Sequence, residues 1–157
     1  MEKRFKYKSI VVGGTFDHIH KGHRTLLDRA FETSDRVLIG VTSDQFVKES
    51  SKIAHHSFQE RVEKLKQFIS DKYPSRDYLI TKLEKTYGPG VYTKQVEAIV
   101  VSTETLPKVE EANNARRKMG LPDLKIELVQ MVMAKDESRI SSTRIRKGEI
   151  DPEGNIL

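Results

Sequence analysis

Chemistry-bearing residues concentrate in one segment of the chain, Gly13-Gly14-Thr15-Phe16-Asp17-His18-Ile19-His20-Lys21-Gly22-His23. The paired glycines let the backbone turn tightly and approach a ligand closely. A helix opening just after them offers free amides and a positive dipole end, which suits a phosphate. His20 and His23, three residues apart, project from neighbouring positions on the face of the opening turn. Gly22 between them removes a side chain that would block close approach. Two imidazoles so placed can donate to phosphoryl oxygens as negative charge builds in a transition state.

A metal site is the sharpest rival reading, because His18, His20 and His23 are three of only five histidines and imidazole is a common zinc ligand. Two features oppose it. A helix N-terminus repels cations, and the flanking glycines favour a phosphate over a bulky coordination shell.

A second cluster lies near the C-terminus, Ile140-Ser141-Ser142-Thr143-Arg144-Ile145-Arg146. Hydroxyl residues at a helix start supply N-caps and side-chain donors to an anion. Arg144 or Arg146 adds charge-assisted contacts to phosphate oxygens. Taken alone, the cluster reads as ordinary capping. Together with the first segment, it suggests two helix starts gripping opposite ends of a triphosphate.

The intervening chain alternates strand-like and helix-like patterns. Ser9–Gly13, Arg36–Val41, Asp77–Leu83, Ala98–Ser102 and Lys125–Val132 read as strands, several of them continuously apolar. Leu26, Leu27, Ala30 and Phe31 mark a first helix. Ser57 to Glu60 has the form of a capping box, followed by Phe58, Val62, Leu65 and Ile69 on one face. Tyr73-Pro74 stops that helix. Val109, Ala112, Ala115 and Met119 mark another, ended by Gly120, and Ser142–Lys147 forms a last short one before Gly148. Phe5 and Tyr7 are expected to pack on the sheet edge, His55-His56 to lie in a solvated loop, and Tyr87-Gly88-Pro89-Gly90 to form a turn. The order predicts an α/β fold, a five-stranded parallel sheet with helices on both faces. Ligands bind outside the carboxyl ends of such strands.

The chain's 157 residues suit a single domain, 1–157. Its 28 basic and 23 acidic residues give a net charge of +5. The charges are interspersed rather than gathered into a stripe, so no nucleic-acid partner is expected. No apolar run approaches the roughly 20 residues of a membrane helix, and the basic N-terminus lacks the apolar region of a signal peptide. Cysteine is absent, which excludes disulfides, zinc-thiolate sites and thiol nucleophiles. A cytoplasmic protein is expected. No oligomeric state follows from the pattern.

Gly-Gly-Thr-Phe-Asp followed by His-x-Gly-His, with Ile-Ser-Ser-Thr-x-Ile-Arg more than a hundred residues later, resembles the HxGH nucleotidyltransferase superfamily. The middle of the chain is most similar to phosphopantetheine adenylyltransferases of the archaeal and eukaryotic type. Ser51-Lys52 with Glu60-Arg61-Val62, Tyr87-Gly88-Pro89, and Val101-Ser102-Thr103-Glu104-Thr105 carry that likeness. The resemblance implies a Rossmann-like nucleotidyltransferase fold. It also implies transfer of AMP from ATP to 4′-phosphopantetheine, with Mg²⁺ riding on the nucleotide.

Carried over residue by residue, it implies that Thr15 and His20 bind the α-phosphate and His23 the nucleotide phosphates. Gly14, Phe16 and Gly22 would complete that side of the ATP site. Lys52 would neutralise the acceptor phosphate, with Lys48 as its alternative. Ser141, Ser142, Thr143 and Arg146 would hold the β- and γ-phosphates, and Tyr87, Ser102 and Thr105 the pantetheine arm. No protein metal site is implied, and Asp17 is a candidate outer-shell ligand only. The alternatives are a sibling transferase using nicotinamide mononucleotide, flavin mononucleotide or an alcohol phosphate, and a non-catalytic nucleotide sensor or RNA-binding module.

Overall fold

A computed structural model describes residues 5–50, 54–85, 93–130, 140 and 142–157. The elements run β1 (Tyr7–Gly14), α1 (Lys21–Thr33), β2 (Ser34–Thr42), α2 (Asp44–Glu49), α3 (Phe58–Lys72), β3 (Asp77–Leu83), β4 (Ala98–Ser102), α4 (Leu106–Lys118), β5 (Lys125–Val129) and α5 (Ser142–Arg146). The strands form one parallel sheet in the order β3-β2-β1-β4-β5. Chain order reverses between β1 and β4, the position where a doubly wound sheet opens a crevice.

Alternate residues of a strand face opposite sides of the sheet. Ile10, Val12, Val37, Ile39, Val41, Ala98 and Val100 meet Leu27, Ala30 and Phe31 of α1 and Leu65 and Ile69 of α3, which makes the main core. Val11, Leu38 and Ile99 look the other way, against a smaller cluster of Val96, Leu124 and Ala112 of α4. Helices therefore cover both faces, as expected. The continuous apolar pattern belongs to the inner strands. At the edges, Leu79 of β3 and Ile126 and Leu128 of β5 are exposed, because edge strands are covered on one face only.

Several expectations need correction. Tyr7 does not pack on the sheet edge: it opens the central strand and is buried, its hydroxyl donating to Glu127 Oε2 at 2.6 Å. Helix α4 is not built on Met119, which is 58% exposed. Its buried side is Val109, Ala112, Asn113 and Arg116. The Arg116 guanidinium donates to the carbonyls of Pro122, Thr93 and Val96 and so ties α4 to the approach of β4. Six-residue α2 carries no periodicity long enough to read from sequence. The turn at 87–90 and the end of the fifth predicted strand lie outside the described residues.

The capping box forms as predicted. Ser57 Oγ accepts from Glu60 N at 3.2 Å, and Glu60 Oε1 from Ser57 N at 3.3 Å. Ser57→Ala is expected to lower unfolding stability by about 1 kcal/mol with little change in activity, read by urea denaturation.

Candidate active site

The turn from β1 into α1 is shaped by Phe16, whose φ of 53° lies in the left-handed region that non-glycine residues rarely adopt. That turn drops the Phe16 ring into the core, fully buried, with its centroid 4.8 Å from that of His23. Any contact Phe16 makes with a nucleotide therefore runs through its backbone.

His20 is the N-cap of α1. Its Nδ1 accepts from Gly22 N at 3.0 Å and from His23 N at 3.3 Å. His23 Nδ1 in turn accepts from His20 N at 3.4 Å, a capping box built from imidazoles. The two rings stack, with centroids 3.8 Å apart and planes 17° from parallel. A nitrogen that accepts carries no proton, so each neutral ring holds its hydrogen on Nε2. Burial and, second, the His20 ring hold the His23 imidazole well below its usual protonation range. A Cβ on Gly22 would lie 2.8 Å from His20 Cε1. What the missing side chain of Gly22 makes room for is the His20 ring.

The amides of α1 differ from expectation. Lys21 N donates to Pro152 O at 2.9 Å and Arg24 N to His20 O at 3.0 Å, while the Gly22 and His23 amides are spent on His20. The first-turn donors are answered within the protein.

Asp17 is buried and accepts hydrogen bonds at both oxygens. Oδ2 accepts from His55 N at 3.0 Å and Arg146 Nη1 at 2.6 Å. Oδ1 accepts from His56 N and His56 Nδ1, each at 3.0 Å. Lys64 Nζ lies 2.7 Å from His56 Nε2. An ammonium only donates, so the His56 proton is fixed on Nδ1, facing Asp17. These donors fill the roughly four lone-pair positions of a carboxylate. Burial pushes the Asp17 carboxyl up. The His55 amide, Arg146 and His56 outweigh it and bring the pKa down to about 2.

This arrangement corrects two expectations. His56 is not a solvated loop residue but a ligand of Asp17. Asp17 also has no oxygen lone pair to spare as an outer-shell magnesium ligand. The rival metal reading of His18, His20 and His23 dissolves as well, since His20 and His23 face each other while His18 Nε2 meets His55 Nδ1 at 3.1 Å. Asp17, His18 and His55 do gather ligand atoms within 4.8 Å of one another. Arg146 and the His55 amide occupy the carboxylate oxygen such an ion would need.

Arg61, named in sequence only as part of a similarity, turns out to be a fully buried cation. It donates to Thr15 O at 2.8 Å, Asp44 Oδ1 at 3.0 Å and His56 O at 3.2 Å. The signal was register: 61, 65 and 69 recur every four residues, and Leu65 and Ile69 are core. Thr42, at the end of β2, donates its hydroxyl to Thr15 Oγ1 at 3.1 Å. Thr15 accepts there, which leaves its own proton to point elsewhere.

A cavity of about 470 Å³ opens at the carboxyl ends of the strands, lined by Gly13, Gly14, Thr15, Thr42, Ser102 and Thr105 among others. Ser50 lines it, whereas Lys48 is exposed on α2 and is not among its lining residues. Lys52, Tyr87 and Ser141 lie outside the described residues, as do the side chains of Ser142 and Thr143. Of the two arginines of α5, Arg144 pairs with Glu149 at 3.1 Å and Arg146 turns inward to Asp17. Among the described residues no helix is long and apolar enough to cross a membrane.

The acid limb of stability tests the Asp17 cluster. A carboxyl depressed from 3.8 to about 2 contributes stability that is present above pH 4 and lost as pH falls towards 2. That contribution is roughly 2 kcal/mol. Unfolding free energies from urea denaturation at pH 6 and pH 2.5 should differ by about 1.5 kcal/mol less in Asp17→Asn than in the parent protein.

Residues 11–148 match the family model described as cytidylyltransferase-like. The chain is 46% identical over 152 residues to a phosphopantetheine adenylyltransferase of Methanothermobacter thermautotrophicus, covering 97% of this chain and 91% of that one. It is 44% identical to one of Methanopyrus kandleri, over 93% of this chain and 92% of that one. A solved structure of a protein of unknown function from Archaeoglobus fulgidus superposes with a TM-score of 0.70 at 28% identity, covering 85% of this chain and 99% of that one.

Proposed function

We propose, for a chain that belongs to the cytidylyltransferase-like family and within it to the phosphopantetheine adenylyltransferases, that it transfers AMP from ATP to 4′-phosphopantetheine. The products are dephospho-coenzyme A and pyrophosphate, a step of coenzyme A biosynthesis. The geometric observation that carries the reading is the meeting of the two signature segments. Arg146 of α5 rests on Asp17, three residues before His20, where β1 gives way to α1 beside the cavity at Gly14 and Thr15.

In this reading the 4′-phosphate oxygen attacks the α-phosphorus of ATP in line. A new P–O bond forms, the bond from the α-phosphorus to the bridging oxygen breaks, and pyrophosphate leaves with the electron pair. A phosphate monoester is largely a dianion near pH 7, its second pKa being about 6. No general base is needed, and the protein's task is to position groups and stabilise charge. His20 Nε2–H and the Thr15 hydroxyl donate to the α-phosphoryl oxygens, with His23 holding the His20 ring. The missing side chain of Gly14 leaves room for the Phe16 ring, 3.0 Å from where its Cβ would lie, and that of Gly22 for the His20 ring.

Lys52 neutralises the acceptor phosphate. Ser141, Ser142, Thr143 and Arg146 take the β- and γ-phosphates, and Ser102, Thr105 and Tyr87 the pantetheine arm. Mg²⁺ enters with ATP as part of the substrate, held by phosphate oxygens and water, since the carboxylate of Asp17 is already saturated. The compartment we assign is the cytoplasm, where ATP is supplied.

His20 carries two separable duties, and substitution divides them. Asparagine is a good N-cap but has no Nε2–H. His20→Asn should keep near-parental stability and lose about 10²- to 10³-fold in kcat. His20→Ala should lose both activity and about 1 kcal/mol of stability. The assay is pyrophosphate release from ATP and Mg²⁺ with 4′-phosphopantetheine, beside nicotinamide mononucleotide and flavin mononucleotide. Release with phosphopantetheine alone supports the assignment, and release only with another acceptor overturns the acceptor while keeping the chemistry.

A further inference from the structure

Asp17 makes no contact that requires a ligand, yet it joins three pieces of chain that carry proposed site residues. It lies between Thr15 and His20, binds the backbone amides of His55 and His56 just after the Lys52 segment, and binds Arg146 of α5. A residue serving only the fold could accept from the amides alone. Here one oxygen is shared between a backbone amide and a guanidinium at 2.6 Å, with the carboxylate side chain wholly buried and that of Arg146 12% exposed.

The guanidinium is planar, with five donors in fixed directions. Fixing Nη1 on Asp17 therefore restricts where the remaining edge can point. The other arginine of α5, Arg144, is held instead by Glu149, itself half-exposed. The two arginines of one short helix thus have different anchors, and the buried anchor belongs to the first signature segment.

We infer that Asp17 is a positioning residue for nucleotide binding, which orients the Arg146 guanidinium towards the β- and γ-phosphates and sets the two signature segments in register. Arg146 stays on Asp17 when ATP is bound, so that the guanidinium meets phosphate without giving up that pair. The inference rests on the proposed use of Arg146 for the triphosphate. The carboxylate remains charged throughout the neutral range, since its pKa is brought to about 2.

The test is a double-mutant cycle on ATP affinity, using Asp17→Asn, Arg146→Ala and the double variant, with MgATP alone as the titrant in calorimetry. Asparagine has nearly the shape of aspartate but presents an amide N–H₂ in place of one acceptor oxygen, so it cannot satisfy all four donors. Asp17→Asn should weaken ATP binding about tenfold in the parent background and less than twofold when Arg146 is already alanine. Equal losses in both backgrounds would mean that Asp17 only supports the fold. Tighter ATP binding in Asp17→Asn would mean that the carboxylate competes with phosphate for Arg146. Either result overturns the inference.

Should Asp17→Asn fail to fold, guanidinium NMR of the parent protein decides the matter. Arg146 Nη rotation should stay hindered with and without a non-hydrolysable ATP analogue, and release from Asp17 on binding overturns the proposal. Because ATP binding is read without an acceptor, absent turnover with phosphopantetheine sinks the acceptor assignment and not this one.

Discussion

A carboxylate taken out of water must have its lone pairs answered, or its burial costs several kcal/mol. Asp17 is answered by a guanidinium, two backbone amides and an imidazole, and these donors come from parts of the chain far apart in sequence. The β1–α1 turn, the approach to α3 and the C-terminal helix meet because their donors share one anion. The imidazole is itself directed by Lys64, and the carbonyl of the same His56 accepts from buried Arg61. Arg61 then reaches Thr15 at the end of β1. The path from Arg146 to Thr15 is thus an unbroken series of charged or directed hydrogen bonds. Its members fix one another's protons, so few tautomers or rotamers satisfy them all.

Against that charged frame, the imidazole pair is kept neutral. Two stacked rings 3.8 Å apart resist carrying two positive charges, and each uses Nδ1 to accept from the backbone. An imidazolium could not cap α1, so the helix start selects the tautomer with a proton on Nε2. Local structure and chemistry are here the same hydrogen bonds. Phe16 completes the arrangement from below, its left-handed backbone placing a ring against His23 instead of into the cavity.

What the sequence made legible follows from these forces. The inner strands were readable because both faces are covered, and β4 matches its predicted limits; edge strand β3 matches too, although one of its faces is open. The Ser57 box was readable because its donors and acceptors are local. The residues missed were polar ones on apolar faces. Arg61 and Arg116 look like solvated helix positions until their spacing from Leu65 and Ala112 is noticed. His56 gave no local sign, because its partner Asp17 is 39 positions away. The free amides expected at α1 were lost to two acceptors, the His20 ring and the Pro152 carbonyl. The first inverts the expected direction of the histidine side chain, and the second comes from the far end of the chain.

The separation of charged scaffold from neutral donors bears on how such a site works. A reaction between a phosphate dianion and a triphosphate gathers negative charge without requiring proton transfer. Donors that are already protonated and already oriented need no reorganisation as that charge develops. A histidine free to titrate near neutrality would be charged in only part of the population and would rotate between roles. Here the ring is held by the helix it begins. The helix start is held in turn by the C-terminal segment, through Lys21 N to Pro152 O and the Arg24–Glu153 pair. Precision in the donors thus derives from contacts that span the chain, which is why a signature of eleven residues needs the remainder of the fold to function.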